Sequence, residues 1–298
     1  MTTHIAIAPG HASSMNDVMR RLEHYISIPN QRNSITALSR DAGFDLKRAL
    51  AAYGKAEPLA NRFAQPLQFL LGYAAWTSVN DHHRIVDGVA GHSLGEFLAI
   101  AIAGSVSWPD SLRLVSRCGM VMDAVHRIRP GAMSALLGFN VTETSQLCAD
   151  ALGAVPGALG IANVNLADQI VVSGDLRCVE ELERRAQTRE GKRVVRLGIA
   201  GAAHSSIYAG HDPMHATLRR ISIAHPRVPL YLSTRSGRIS GADDVRLALA
   251  EILTHRVDWV RTLGSIAAEH SDFSLELIFP DRGMTSILRR AGYSNRAV

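Results

Sequence analysis

The residues best placed to do chemistry are Gly91-His92-Ser93-Leu94-Gly95, which match the G-x-S-x-G pattern of a nucleophile elbow. A short apolar run, Val89-Ala90, leads in as a buried strand would. A run of helix formers, Glu96 to Ala103, leads out and stops at Gly104, a natural residue just past a helix end. Such a strand–turn–helix sets the serine on a tight bend at the end of a sheet. Its Oγ is exposed there, and the first helix amides are free to bind an anion. The two glycines make room where a Cβ would crowd the bend. Alone, the motif says serine nucleophile; an esterase or an ordinary glycine-rich βα turn carries the same pentapeptide.

A serine nucleophile needs a base within hydrogen-bond reach, and the base needs an orienting acceptor. Thirteen histidines leave that choice open from spacing alone. His92 adjoins the serine, but its side chain diverges around the bend. His204 is attractive because it follows a strand and the small-residue run Gly198 to Ala203. A surface or capping role is the plainer reading of any single histidine.

The elements that must position these groups read as a βα-alternating chain. Residues 4–8 are a strand ending at Pro9-Gly10, followed by an amphipathic helix with Val18, Leu22 and Tyr25-Ile26 at helical spacing. Residues 34–53 are helical with a break around Asp41–Asp45. Residues 56–79 are helical, with Pro66 expected to mark a start or kink. Pro109-Asp110 opens another helix that ends before Pro130-Gly131. Residues 132–197 then change pattern: strand 132–139, helix 142–152, strands 160–164 and 169–173, helix 176–188, strand 193–197. That order, β-α-β-β-α-β, is the ferredoxin-like pattern, and it predicts an inserted small subdomain. Beyond it lie a helix around 207–219, a strand at 230–232, a turn at Ser236-Gly237, helices at 243–253 and from Trp259, and a strand at 275–279.

Composition narrows the function classes. The chain has 298 residues, enough for a large core. Its net charge of +5 favours acidic partners, yet the basic residues cluster only in pairs such as Arg20-Arg21 and Lys192-Arg193. With no basic run interleaved with aromatics, nucleic acid is not expected as a partner. Three cysteines, Cys118, Cys148 and Cys178, have no metal or disulfide spacing. Neither a signal peptide nor a membrane span is evident, so a reducing, cytoplasmic setting is expected, with no membrane partner.

The motifs, taken in order, resemble those of the malonyl-CoA:acyl carrier protein transacylase family and the related acyltransferases of polyketide and fatty acid synthesis. They are Pro9-Gly10, Gln65-Pro66, Gly91 to Glu96, Gly119-x-x-Met122, Asn163-x-Asn165, Gln169 to Gly174, His204-Ser205, Pro229 to Ser233 and Val257-Asp258-Trp259. The resemblance implies an α/β-hydrolase-like core with a parallel sheet, residues 1–130 and 199–298, and a ferredoxin-like small subdomain, residues 131–198. It makes Ser93 the nucleophile and His204 its base, oriented by the backbone carbonyl of Ile252. The backbone amides of Leu94 and His11 form the oxyanion hole. The family has Gly-Gln-Gly-Ser where this chain has Gly10-His11-Ala12-Ser13; because an amide does the work, the hole survives. Gln65 and Asn163 fit supporting polar positions.

One departure bears on the cargo. Malonyl-specific members carry an arginine immediately before the glycine of R-G-x-x-M, gripping the substrate carboxylate as a bidentate pair. Here Cys118 stands there, with Arg117 one residue away and about 100° around the helix. The resemblance therefore implies a non-malonyl acyl group, in a pocket lined by Cys118, Met122, Gly201 and Ala203. The expected substrate is a phosphopantetheine thioester on acyl carrier protein or coenzyme A, with no bound cofactor or metal and a monomeric enzyme. Lys192, Arg193 and Arg196 are candidates for a basic rim that steers an acidic carrier. Water in place of the second thiol would make the same residues a thioester hydrolase, and a non-catalytic carrier-binding scaffold is the third reading.

Overall fold

The computed structural model describes residues 2–11, 14–55, 58–78, 86–210, 214–293 and 295–297. Its strands are, in chain order, β1 (Thr3–Ala8), β2 (Gly88–Gly91), β3 (Gly131–Leu137), β4 (Leu159–Leu166), β5 (Gln169–Asp175), β6 (Arg193–Arg196), β7 (Leu230–Leu232), β8 (Gly237–Arg238), β9 (Val257–Asp258), β10 (Phe273–Leu277) and β11 (Asn295–Ala297). They form two sheets. The first has the order β11-β10-β1-β2-β7-β8 and is parallel except for β8.

The central strand explains this arrangement. Residues 5–8 are all apolar and all buried, as a strand covered on both faces requires. Side chains alternate across the strand. Ile5 and Ile7 therefore pack with Tyr231, Trp259, Leu277 and Leu288 on one face. Ala6 and Ala8 pack on the other with the helices Met15–Ser27, Asn61–Ser78, Gly95–Ile102 and Trp108–Ile128. Because β1, β2, β7 and β10 run the same way, the loops after them gather at one edge of the sheet.

The second sheet has the order β6-β3-β5-β4-β9. Residues 131–196 supply its first four strands, antiparallel, with helices Val141–Ala154 and Leu176–Ala186 in the expected β-α-β-β-α-β sequence. The fifth strand of this sheet was not anticipated, nor were β8 and β11 of the first: β9 pairs parallel with β4, Asn163 opposite Val257.

Local differences have physical causes. Pro66 lies inside the helix Asn61–Ser78 rather than at its start. The start is fixed from outside, since the Asp123 carboxylate accepts from the backbone N–H of Asn61 at 2.9 Å and of Arg62 at 3.2 Å. The helix expected around 207–219 is only a 3₁₀ turn, Ser206–Tyr208, and one helical turn, His215–Leu218. Gly210, at φ +79°, breaks the path between them, and residues 211–213 lie outside the described ones. The break at Asp41–Asp45 is a helix stop at Gly43, φ +70°, followed by a new helix capped by Asp45. Among the described residues no helix is long and apolar enough to cross a membrane.

Candidate active site

Strand β2 ends at Gly91 and the helix Gly95–Ile102 begins four residues on. Between them Ser93 sits at φ +52°, a left-handed conformation that costs about 1–3 kcal/mol and persists only when its surroundings over-determine it. Close packing supplies that constraint. A Cβ on Gly95 would lie 2.1 Å from the Ala8 carbonyl oxygen, and one on Gly91 would lie 2.5 Å from the Glu96 Cα. Strand β1 therefore presses directly on the bend.

A buried polar chain holds the bend from the other side. The Ser93 N–H donates to Ser233 Oγ at 3.0 Å, and that hydroxyl donates to Glu96 Oε1 at 2.7 Å. Thr234 adds its N–H to Oε1 at 2.7 Å and its hydroxyl to Oε2 at 2.8 Å. Glu96 is fully buried. Burial pushes its carboxyl up to about 7, against the pull of these hydrogen bonds. Sequence reasoning missed this use of Glu96, Ser233 and Thr234. Glu96 adjoins the elbow and Ser233 follows β7, but no spacing rule joins residues so far apart in the chain.

His204 meets the serine from the far side of the chain. It too lies at positive φ, +58°. Its Nε2 is 2.7 Å from Ser93 Oγ and its Nδ1 is 2.8 Å from the His255 carbonyl oxygen. A carbonyl can only accept, so Nδ1 carries the proton and Nε2 presents its lone pair to the serine. Burial lowers the imidazole to about 4, against the pull of the His255 carbonyl. The ring is neutral at pH 7, the state a base requires.

The orienting carbonyl is therefore that of His255, not the expected Ile252. The helix Ala242–Glu251 ends in a tight turn in which the amides of Thr254 and His255 both bond to the Glu251 carbonyl. The Leu253 carbonyl is taken by the Ser205 amide at 3.1 Å. The turn thus brings the His255 carbonyl to the ring, while Ile252 lines the cavity and adds only a weaker pull.

Ser93 and His204 open on a cavity of about 850 Å³. His11, Leu94, Gln65, Cys118, Met122, Asn163 and Ala203 all line it. Gly201 does not. At φ +113° it stands behind the wall, where a Cβ would lie 3.6 Å from Met122 Cε and 3.2 Å from the Tyr208 hydroxyl. Cys118 is buried, and burial pushes its thiol up to about 12, so it is not an activated nucleophile. Arg117 is exposed, as its position around the helix predicts. Gln65 places Nε2 3.0 Å from the Met122 sulfur, and its Oε1, like Asn163 Oδ1, is buried without a partner. The loop after β1 is held by Gln68, whose side-chain amide donates to the Gly10 carbonyl; Ala12 and Ser13 lie outside the described residues.

His92 turns away from the serine. Its Nε2 is 2.8 Å from Asn165 Oδ1 and its ring meets Trp259 edge-on, centroids 5.3 Å apart. The expected basic rim is weakened, because Lys192 pairs with Glu143 and Arg196 with Glu183, the latter at 2.5 Å. A cation paired with a carboxylate projects little long-range field, which leaves Arg193 as the one of the three with no carboxylate partner among the described residues. The cysteines are free and buried. No group of three or more His, Cys, Asp and Glu side chains that could hold a metal occurs among the described residues.

A strained serine bonded to a neutral histidine at the loop edge of a parallel sheet has the geometry that acyl transfer through a serine ester requires. Residues 34–258 match the family described as "Acyl transferase domain", and the chain belongs to that family. A Mycobacterium tuberculosis protein named malonyl CoA-acyl carrier protein transacylase is 31% identical over 301 residues, covering 98% of this chain and 95% of its own. The polyketide biosynthesis protein ThaF of Burkholderia thailandensis is 31% identical over 207 residues, 68% of this chain and 17% of that protein. The crystal structure of MCAT from Mycobacterium tuberculosis superposes with a TM-score of 0.84 at 29% identity, covering 99% of this chain and 96% of that one.

Proposed function

We propose that this acyltransferase moves an acyl group other than malonyl to or between acyl carrier proteins, through an ester on Ser93. The observation that carries the reading is the 2.7 Å contact between Ser93 Oγ and the lone pair of a neutral His204. The transacylase relatives support the carrier protein as partner, and ThaF supports a place in polyketide-type chemistry. The strand order β6-β3-β5-β4 supports reading residues 131–198 as a ferredoxin-like unit set into an α/β-hydrolase-like core, residues 1–130 and 199–298.

The cycle needs only proton transfers. Ser93 Oγ attacks the thioester carbonyl carbon while His204 Nε2 takes its proton. The amides of Leu94 and His11 hold the oxyanion, a contribution worth about 3 kcal/mol per donor. The C–S bond breaks, the sulfur receives the proton from His204, and the acyl group remains on Ser93. A second phosphopantetheine thiol then gives its proton to His204 and attacks the ester, and the proton passes back to Ser93 Oγ.

Two wall features support a cargo without a free carboxylate. Cys118 offers a neutral thiol where a bidentate cation would be needed, and Ala203 is small. A carboxylate buried there without a partner loses several kcal/mol. The test is intact-mass measurement after incubation with malonyl, neutral acyl and aminoacyl carrier proteins. Neutral acyl groups should label the wild type and not Ser93→Ala. Labelling of the alanine variant refutes the mechanism, and preferential malonyl labelling refutes the cargo. Free acid in place of an acylated second carrier identifies hydrolysis.

A further inference from the structure

His204 stands at the end of a stretch with no helix or strand of its own. Strand β6 ends at Arg196, and the next element, the 3₁₀ turn, begins at Ser206. The path between them is bent, with Gly201 at φ +113° and His204 at φ +58°. A non-glycine residue in that region keeps its conformation only where its surroundings over-determine it. Both ends of the stretch are pinned. The Leu197 N–H donates to the Met133 carbonyl at 2.9 Å and the Ser205 N–H to the Leu253 carbonyl at 3.1 Å. Ser205 Oγ also donates to the Ala202 carbonyl at 2.6 Å. Among the described residues, the backbone of 198–201 has one hydrogen bond: the Ala200 carbonyl accepts from Asn61 Nδ2 at 2.6 Å.

Asn61 does not line the Ser93 cavity, yet it is only 1% exposed. Its Nδ2 carries two hydrogens, and both are used, the second on Asp123 Oδ1 at 3.2 Å. Asp123 in turn accepts from the backbone N–H groups of Asn61 and Arg62, and pairs with Arg62 Nη1 at 2.9 Å. Gly119 sets how deep Asn61 lies, since a Cβ there would be 2.4 Å from the Asn61 carbonyl oxygen. The helices Asn61–Ser78 and Trp108–Ile128, which carry Gln65, Cys118 and Met122 to the cavity wall, therefore meet backbone to backbone. Anchoring the helix start needs only Asp123 and the two backbone amides. The bond to Ala200 serves the loop that carries the base.

We infer that Asn61 is a positioning residue for His204: it fixes the loop at Ala200 so that the imidazole stays buried with Nε2 against Ser93 Oγ. This rests on the reading of Ser93 and His204 as nucleophile and base, and adds the group that keeps them in register. Without the bond the chain is unheld between Leu197 and Ala202, and the ring gains room to leave the serine and meet water. The titratable groups that face His204 are His92 and His255, and both lower it. Asn61 bonds to neither, so its loss acts through the burial of the ring.

The test compares the full-length wild type with Asn61→Ala, Asn61→Ser and Arg62→Ala. Serine keeps a polar group at the helix start but ends short of the Ala200 oxygen, and it guards against a loss of folding in the alanine variant. Arg62→Ala removes a half-exposed partner of the same carboxylate and leaves the Ala200 bond in place. NMR titration of the His204 ring, assigned by its absence in His204→Gln, reads burial with no substrate present. Single-turnover acylation of Ser93 from acyl carrier protein gives the saturating rate and the half-saturating concentration separately. In both Asn61 variants the titration midpoint should rise from about 4 toward 6.5. The saturating rate should fall by about ten- to hundred-fold, with the half-saturating concentration changed by about two-fold or less. Arg62→Ala should match the wild type in both readouts. A midpoint and saturating rate unchanged in the Asn61 variants, or changes that Arg62→Ala reproduces, overturn the inference. A wild type whose Ser93 is never acylated defeats the transfer reading alone, because the titration still judges Asn61.

Discussion

Replacing Glu96 by Gln separates the charge of this side chain from its hydrogen bonds. In the wild type a fully buried carboxyl accepts from the Ser233 hydroxyl, the Thr234 N–H and the Thr234 hydroxyl. The Gln side chain keeps the shape and one acceptor oxygen, and the Thr234 hydroxyl can rotate to accept from the new NH₂. The loss of hydrogen bonding is therefore small, about 1 kcal/mol. The charge effect is larger and runs the other way. Burial raises the folded carboxyl from its ordinary 4.5 to about 7, so between those pH values the folded state holds a proton that the unfolded state has released. Stability from this group is full below pH 4.5 and is lost as pH rises through about 7. The rise corresponds to roughly 3 kcal/mol. Urea unfolding of both proteins from pH 4 to 8 should show Glu96→Gln equal to or slightly weaker than wild type in acid. It should become the more stable by roughly 2 kcal/mol at pH 8. Taking the difference removes the buried histidines, whose lowered values make stability rise with pH in both proteins. A difference that is flat with pH, or that favours wild type at pH 8, refutes the buried-carboxylate argument.

Three further outcomes are expected. The acylation rate of Ser93 should be level above about pH 5 and fall in acid with a midpoint near 4, where His204 takes a proton; stopped-flow acylation checks this, and a midpoint near 6.5 contradicts the role of burial. Cys118→Arg places a cation on the cavity wall and should raise malonyl labelling relative to neutral acyl groups by about ten-fold, read by competition between carriers; an unchanged ratio counts against the carboxylate argument. Gly95→Ala drives a methyl to 2.1 Å from the Ala8 carbonyl oxygen and should lower stability by about 3 kcal/mol or more, seen as a lower urea midpoint.

The elbow was legible because it is local. Glycine, small size and the switch from strand to helix residues all fall within Val89–Gly104, and the helix does stop there, with Gly104 at φ +73°. The β-α-β-β-α-β segment was legible for the same reason, since hydrophobic period records which face of each element is covered. The sequence alone thus determined a serine on a bend, the order of the elements from 131 to 196 and the placing of Cys118 and Arg117 on different helix faces. What it left undecided depends on contacts between distant segments. Ser93 and His204 are separated by 111 residues. Their hydrogen bond exists only because the parallel sheet and the loop before Ser206–Tyr208 bring both to one edge. Two more examples are the start of the helix at Asn61, fixed by Asp123, and the hold on the Ser93 amide, which runs through Ser233 to Glu96. The orienting carbonyl, His255 rather than Ile252, was settled by how tightly one helix end turns. A backbone carbonyl carries no side-chain signature, so only the folded path of the chain could select it.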